Sequence, residues 1–302
     1  MKSKVLIFFW LFFVWNLFAG NQNGGKTGLS FLKIAIDARA VGMGEAYTAV
    51  SSDASATYWN PAGLLNATGS NVIFHHNEWI EDIRGEFAAI SFIGKSSAWA
   101  FHIRSFNLGE IQVREIPTTE PLGKTSAHYL SAGISYSRRL RTRLDVGITV
   151  KYLFEKIYVE SASGYALDVG LLYRPNISHL RFAATVQNLG KMNRLKNEPS
   201  NLPELIRLGM FYEIPWSFEK FQTHIAFDLV KQQSENLKVH LGTEAILFKQ
   251  LALRGGSMFG YETHDFSFGI GILRSSIRFD YAITPFSQNL GVAHRFSVNF
   301  FI

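Results

Sequence analysis

Cysteine is missing from the sequence, and charged residues are scarce. None of the 302 residues is a cysteine, which excludes a disulfide scaffold, a zinc site built on thiolates and a cysteine nucleophile. Only 18% of the residues are charged and 25 are glycines, which excludes a coiled coil, a helical solenoid or a disordered tail as the main architecture. The net charge is +6, but no block of basic residues occurs, so the charge does not predict nucleic-acid binding.

A long apolar run occurs only at the amino terminus. Lys2 and Lys4 precede the apolar run Val5–Trp15, and small residues follow at Ala19–Gly20. This arrangement is typical of a secretory signal peptide, so residues 1–20 are predicted to be removed on export. A retained N-terminal anchor is the alternative interpretation. No later stretch is long and apolar enough for a spanning helix, so the exported chain is predicted to have none.

From residue 71 onward, apolar and polar residues alternate. In residues 144–154 the apolar side chains except Leu153 share one parity, and polar or small side chains such as Thr149 and Lys151 share the other. Period two is the pattern of a β-strand with one apolar face. On this strand, the positions predicted to face lipid are Leu144, Val146, Ile148, Val150 and Phe154. The pattern predicts fourteen strands, at 71–78, 85–93, 96–106, 126–138, 143–156, 163–174, 180–189, 204–214, 221–231, 237–248, 250–259, 264–274, 276–284 and 292–302.

The connections between these segments indicate a membrane barrel. They are short on one side of the predicted sheet, whereas two on the other side, 107–125 and 190–203, are long. Short turns opposite long loops, with an even number of strands, are typical of bacterial outer-membrane barrels. A soluble β-sandwich or a lipocalin-like barrel is the alternative, but fourteen strands enclose too wide a lumen for apolar side chains alone to fill. We therefore predict an all-β fold, a 14-stranded antiparallel transmembrane barrel of residues 71–302 in the outer membrane.

Residues 31–65 have a different pattern, which predicts a small helical plug. Small residues recur through this stretch and allow close packing in a restricted space. Asp53 is placed to cap a helix that begins at Ala54, and Asn60-Pro61 favours a turn that ends it. The segment 21–70 is therefore predicted to be an N-terminal extension that plugs the barrel lumen. The plug motif residues are Arg39, Gly42, Gly44, Asp53, Asn60, Pro61 and Gly63.

This stretch, from Ala38-Arg39-Ala40 to Asn60-Pro61-Ala62-Gly63, resembles the PorV/PorQ family of outer-membrane proteins. It is also similar to the wider FadL-like superfamily of long-chain fatty-acid porins. The resemblance implies a non-enzymatic role in type IX protein secretion, as a PorV-like shuttle that binds cargo or a PorQ-like component of the attachment complex. The implied partners are secretion-machinery proteins, secreted cargo proteins and outer-membrane lipid. The alternative that it implies is a transporter of fatty acids or other hydrophobic molecules, with a hydrophobic ligand in the lumen.

Charged residues on the inward parity are the remaining candidates. If the strands 221–231 and 237–248 pair around a turn near Ser234, His224 faces Glu244 and Asp228 faces His240. Lys151 and Asp168 can meet across their own hairpin, and Arg104 lies on the polar parity of its strand. These residues could line a polar conduit. More often, such groups neutralise the interior of a plugged barrel.

The sequence shows no signature of an enzyme. The nine histidines are dispersed, and no nucleophile-elbow, phosphate-loop or zinc-protease motif occurs. We therefore predict no catalytic residues, no metal site and no cofactor. A hydrolase site assembled in space from serine, histidine and aspartate remains the open alternative.

Overall fold

The computed structural model describes residues 28–81, 83–109, 111–113, 123–196, 200–216, 220–233 and 235–302. The predicted signal peptide, residues 1–20, lies outside the described residues, as does the turn residue Ser234. The domain boundary predicted at residue 70 falls immediately before the first strand of the structure, which begins at Asn71.

Fourteen antiparallel strands form a closed barrel, which confirms the predicted fold class. The first and last strands pair, with Asn71 opposite Phe301, so the barrel has no free edge. The strands are β1 Asn71–Glu78, β2 Arg84–Ile93, β3 Ser97–Asn107, β6 Ala127–Arg141, β7 Leu144–Ile157, β8 Glu160–Tyr173, β9 Leu180–Met192, β10 Leu205–Ile214, β11 Phe221–Gln232, β12 Lys238–Leu247, β13 Leu251–Phe259, β14 Phe266–Arg274, β15 Ile277–Pro285 and β16 Val292–Phe301. Two further strands, β4 Ile111–Val113 and β5 Gly123–Thr125, form a separate hairpin. The predicted loop 107–125 therefore contains secondary structure of its own.

The two ends of the barrel differ in their connections. At one end lie Ser70 and the last residue, Ile302, whose backbone groups are hydrogen-bonded at 2.8 Å. The connections at this end are short, which is the periplasmic arrangement of outer-membrane barrels. The opposite, extracellular end carries the connection from β3 to β6, with its hairpin, and the connection from β9 to β10.

The outer wall of the barrel is apolar. On β7, Ile148 and Val150 are 40% and 52% exposed, whereas the alternate residues Thr149 and Lys151 are buried toward the lumen. Other exposed apolar side chains lie around the outside of the barrel, among them Phe74, Trp99, Phe101, Ile103, Leu171, Phe268, Ile270, Phe279 and Phe296. A continuous apolar surface of this kind needs lipid rather than water around it. The barrel is thus an outer-membrane protein. No helix in the described part of the chain is long and apolar enough to span a bilayer.

An arginine in the middle of this wall is expected to destabilise the barrel. Ile148→Arg places a charge in the hydrocarbon layer and should lower the free energy of unfolding in lipid vesicles by roughly 2–4 kcal/mol if position 148 lies at the midplane. Cysteines introduced singly at positions 148 and 149 report the orientation. A water-soluble reagent that modifies position 148 more readily than position 149 would contradict it.

The N-terminal segment passes through the barrel. Its described part starts at the extracellular end, where the Gly28 N–H donates to the carbonyl of Asn201 at 3.0 Å. Its elements are two 3₁₀ turns, Ser30–Lys33 and Pro61–Asn66, and two short helices, Ala38–Gly42 and Ala56–Trp59. Most of its side chains are completely buried, including Ile36, Met43, Tyr47, Trp59 and Leu64. We refer to residues 28–67 as the plug.

The second helix begins later than the sequence predicts. It starts at Ala56 rather than Ala54. The Asp53 carboxylate accepts hydrogen bonds from the backbone N–H and the hydroxyl of Ser55, at 2.9 and 2.5 Å. These bonds hold a turn ahead of the helix, because aspartate side chains favour local turns over helix interiors.

Candidate functional site

A network of buried ion pairs joins the plug to the barrel wall. The Arg39 guanidinium, on the first plug helix, binds both carboxylate oxygens of Glu244, at 2.8 and 2.7 Å. Glu244 also accepts a hydrogen bond from Arg254 Nε at 2.7 Å, and His224 Nδ1 lies 2.8 Å from its second oxygen. Bidentate pairs between arginine and carboxylate are among the strongest polar contacts in proteins. Glu244 therefore anchors the first plug helix to β12.

The network continues to the second anchor of the plug. Arg254 Nη1 lies 2.8 Å from Asp280 Oδ1, and Arg278 Nε binds Asp280 Oδ2 at 2.7 Å. Arg278 Nη2 then donates to Asp53 Oδ2 at 2.7 Å. Together with Arg39 and Glu244, these residues form one chain in which three guanidinium groups alternate with three carboxylates. The charges cancel, which is the condition under which buried ions are tolerated.

Close approach of the plug to the wall depends on small residues. Gly42 packs against Gly269, where a Cβ atom on Gly42 would lie 3.0 Å from the Gly269 Cα. Gly44 has a φ of +61°, and a Cβ there would lie 2.7 Å from the carbonyl oxygen of Leu241. A side chain at Gly44 would therefore be unfavourable, because the positive φ disfavours it and because it would clash with the Leu241 carbonyl.

Asn60 and Pro61 hold the second half of the plug against another part of the wall. The Asn60 amide donates to the carbonyls of Thr48 and Leu171, at 3.0 and 3.2 Å, and its oxygen accepts from Ala62 N. Pro61 packs on Gly147 of β7, where a side chain would collide with the plug backbone. Gly63 is equally close-packed, against Ser51. These residues position the plug within the barrel.

The two charged pairs predicted on β11 and β12 have different outcomes. The register places His224 opposite Glu244 and Asp228 opposite His240. Asp228, however, accepts hydrogen bonds from the plug, from Tyr47 N and from both the N–H and the hydroxyl of Thr48. His240 Nε2 lies 3.0 Å from the hydroxyl of Tyr261 instead. Asp228 thus holds the plug rather than pairing with His240.

The other predicted lumen residues also contact neighbours. Lys151 Nζ lies 2.7 Å from Asp168 Oδ1 and donates to Asn188 Oδ1 at 2.5 Å. Arg104 Nη2 donates to the Ile34 carbonyl at 2.5 Å, and its guanidinium lies over the ring of Tyr58 at 5.2 Å. These side chains support the plug and the inner wall. Their use in a conduit stays a prediction.

Several members of the network were not among the predicted site residues. Arg254, Arg278 and Asp280 complete the ion-pair chain, and Asp145 binds Arg139 and Arg174 near the periplasmic end, at 3.0 and 2.7 Å. All except Arg174, which follows β8, lie on the inward parity of their strands. A charged residue on the inward parity of a strand was therefore the sequence signal that could have identified them.

Asp37 is expected to make the stability of the protein depend on pH. It is fully buried at a φ of +69°, and Oδ1 accepts a hydrogen bond from Arg39 N. Burial and the nearby Asp53 raise the pKa of Asp37 to about 7, although Arg278 opposes this and Asp280 adds to it. Between the ordinary pKa of 3.8 and about 7, the folded state holds a proton that the unfolded chain has released. The contribution of Asp37 to stability therefore falls as pH rises through this interval.

Asp37→Asn should remove this dependence, because asparagine keeps the oxygen acceptor and tolerates positive φ. We expect the variant to gain roughly 1–3 kcal/mol over the natural protein near pH 8, and to lose this gain near pH 4. Asp53→Asn is the matched control. Burial would raise the pKa of Asp53, but Arg278 and Ser55 hold it below its ordinary value, so this variant should be less stable at neutral pH. Denaturant titrations in lipid vesicles at several pH values measure the free energy of unfolding of both variants. If Asp37→Asn and the natural protein depend on pH in the same way, the raised pKa of Asp37 is contradicted.

Two cavities lie at the extracellular mouth, on either side of the turn Ser30–Lys33. One, of about 430 Å³, is mainly apolar, with Leu29, Phe31, Ile83, Phe106 and Tyr129 in its wall. The other, of about 270 Å³, has many polar side chains, among them Arg207, Glu45 and Lys238. Among the described residues there is no cluster of histidine, aspartate or glutamate suited to a metal ion. His75 Nδ1 lies 3.0 Å from the hydroxyl of Ser297, but its Nε2 has no partner in the described part of the chain.

Comparison with known proteins identifies relatives at the level of sequence family and of fold. A family model described as type IX secretion system protein PorV matches residues 18–174, slightly more than half of the chain. A search of curated proteins finds no match. The toluene transporter TodX of Pseudomonas putida is similar in structure, with a TM-score of 0.62, 12% identity and coverage of 86% of this chain and 95% of its own. The CymD monoaromatic hydrocarbon channel has a TM-score of 0.62 at 11% identity, covering 91% of this chain and 99% of its own. At such identities the likeness concerns the fold.

Proposed function

Because the chain belongs to the PorV family of type IX secretion system proteins, we propose that it is a non-enzymatic component of such a system and binds secreted cargo proteins at the outer membrane. The family match carries this proposal. It supports secretion-machinery proteins and cargo as partners, as the motif around Arg39 and Asn60-Pro61 already implied. A PorQ-like place in the attachment machinery is the second form of the same proposal.

The fixed plug supports a binding role. Arg39, Asp53 and Asn60 tie it to three different parts of the wall through buried contacts. A barrel filled in this way is a rigid platform, and loops on a rigid scaffold are where binding usually occurs. The extracellular end offers the β4–β5 hairpin and the connection from β9 to β10 for this purpose.

Loop replacement tests the proposal in cells that secrete by this route. We would replace residues 109–125 and 193–199 with short Gly/Ser turns and keep 200–204, because Asn201 and Leu202 contact the plug. The barrel should still assemble, whereas surface delivery of secreted proteins should be lost. The matched control replaces the periplasmic connection 215–220 and should leave delivery intact.

Partner capture separates the two forms of the proposal. The tagged protein is purified from outer membranes and the associated proteins are identified. Secreted cargo among them supports a shuttle, and attachment-machinery proteins without cargo support the second form. Normal delivery by the loop variant would contradict both.

A transporter of hydrophobic small molecules is the second candidate function. It is favoured by the likeness in fold to TodX, described as a toluene transporter, and by the apolar cavity of about 430 Å³ at the extracellular mouth. Uptake of radiolabelled toluene and of oleate by cells with and without the protein tests it. If the loop variant secretes normally but takes up these compounds poorly, this candidate replaces the first.

A further inference from the structure

The cavity of about 270 Å³ at the extracellular mouth is lined by an arginine that has no acceptor among the described residues. Arg207 lies near the extracellular end of β10, and only 2% of its surface is exposed. Its Nε and Nη1 are buried and have no hydrogen-bond partner among the described residues, and Trp59 covers the guanidinium at 4.9 Å. Buried donors of a charged group are costly to leave without acceptors. Nη2 is the guanidinium nitrogen outside this fully buried set, and it too makes no hydrogen bond to the described residues, so an acceptor in the cavity would meet the guanidinium there.

The acids around the cavity do not neutralise Arg207. Glu235 lies 3.0 Å from Lys33 and also binds Lys238, so its charge is already paired. No carboxylate of the described residues is within ion-pair distance of Arg207, including that of Glu45, which also lines the cavity. The charged side chains of the wall sum to about +1, from Lys33, Arg207 and Lys238 against Glu45 and Glu235. The cavity therefore favours an anion.

The other residues that line the cavity indicate which chemical group carries the anion. Trp79, Tyr261 and Leu32 supply apolar surface, and the buried Gln232 Nε2 is a second donor without a partner in the described part of the chain. A volume of about 270 Å³ is at the small end of ligand pockets, which are typically ~300–1,000 Å³. It suits one ring or one short side chain, and the polar wall suits a ligand with hydrogen-bonding groups beside that ring.

We propose that this cavity binds a carboxylate attached to a short apolar or aromatic group, with Arg207 as the carboxylate anchor. The C-terminal residue of a polypeptide and a free aromatic acid share this chemistry. A guanidinium recognises a carboxylate through two parallel hydrogen bonds, which Nη2 donates together with either Nε or Nη1. The inference does not depend on the type IX role, because it concerns only what the cavity binds.

Calorimetric titration of the full chain in lipid nanodiscs tests the proposal with three probes. N-acetylphenylalanine represents a polypeptide C-terminus, phenylacetate represents a free acid, and N-acetylphenylalaninamide lacks the charge. At least one carboxylate should bind roughly tenfold more tightly than the amide. Binding of the first probe only identifies the polypeptide source, and binding of phenylacetate only identifies the free acid. Equal affinities for acid and amide, or no binding of either acid up to ~10 mM, would overturn the proposal.

Charge variants locate the binding. Arg207→Gln should abolish the preference for carboxylate, and Arg207→Lys, which keeps the charge without the paired donors, should retain part of it. Glu45→Gln removes a repelling charge and should tighten binding several-fold. The control is Arg181→Gln, near the periplasmic end, where Arg181 also stacks on an aromatic ring, that of Phe211, at 4.0 Å. If Arg181→Gln weakens binding as much as Arg207→Gln, or Glu45→Gln weakens it, the cavity is not the site.

Discussion

Removal of residues 31–66 is expected to turn a closed barrel into a conducting pore. Barrels of eight strands are filled by their own side chains, whereas those of 16–18 strands leave an aqueous channel, and fourteen strands lie nearer to the second case. The side chains that the deletion uncovers, such as Asp228, Glu244 and Arg278, are charged and can hydrate. In planar bilayers the natural protein should show no resolved channel steps, and the deletion variant should show them.

The comparison needs a barrel that still assembles. Heat-modified migration on gels reports assembly, and deletion of 193–199 at the extracellular end is a control that leaves the plug contacts of residues 200–204 in place. An assembled deletion variant that stays closed would show that something other than the plug blocks the lumen. If the natural protein conducts as well as the deletion variant, the plug does not close the pore.

Glu244→Gln is expected to cause the largest loss of stability from a single substitution. The Glu244 side chain is 1% exposed and serves Arg39, Arg254 and His224 at once. Loss of its charge leaves a buried guanidinium without its counter-ion, which typically costs about 3–5 kcal/mol. Denaturant unfolding in lipid vesicles measures the change in the free energy of unfolding.

Glu235→Gln is the matched control, because it makes the same substitution in an ion pair at the mouth. Glu235 is 27% exposed and lies 3.0 Å from Lys33, so its loss should cost no more than about 1 kcal/mol. A double variant, Arg39→Gln with Glu244→Gln, should lose less than the sum of its single variants. Equal losses for Glu244→Gln and Glu235→Gln would mean that burial of the network contributes nothing.

The wall of the barrel could be predicted from the sequence because its physical signal is local. Lipid on one side and a polar lumen on the other impose period two on every strand, and short sequence windows such as residues 144–154 show it. The strand count and the even number follow from the same pattern. The plug segment was recognisable too, because small residues and the Asn60-Pro61 turn are local signals.

The contacts of the plug could not be predicted in the same way. Arg39 and Glu244 are 205 residues apart, and Asp53 and Arg278 are 225 apart. Only the three-dimensional structure determines which of the many inward charges meet. His224 and Glu244 were paired correctly because they lie on adjacent strands joined by a short turn. Asp228 was assigned to its strand neighbour, since the plug that binds it lies outside the local pattern.

The same separations determine when the plug can be secured during assembly. Earlier strands supply the hydrogen bonds of Arg104 and of the Leu171 carbonyl, but the ion-pair and carboxylate partners of the plug lie on late strands: Asp228 on β11, Glu244 on β12 and Arg278 on β15. A chain that has formed only β1 to β10 offers none of these anchors, and loops this long are closed late because contacts distant in sequence cost the most entropy. The last strand also seals the wall against β1. Completion of the plug's ion pairs and closure of the barrel therefore belong to one concluding step, in which β16 pairs with β1.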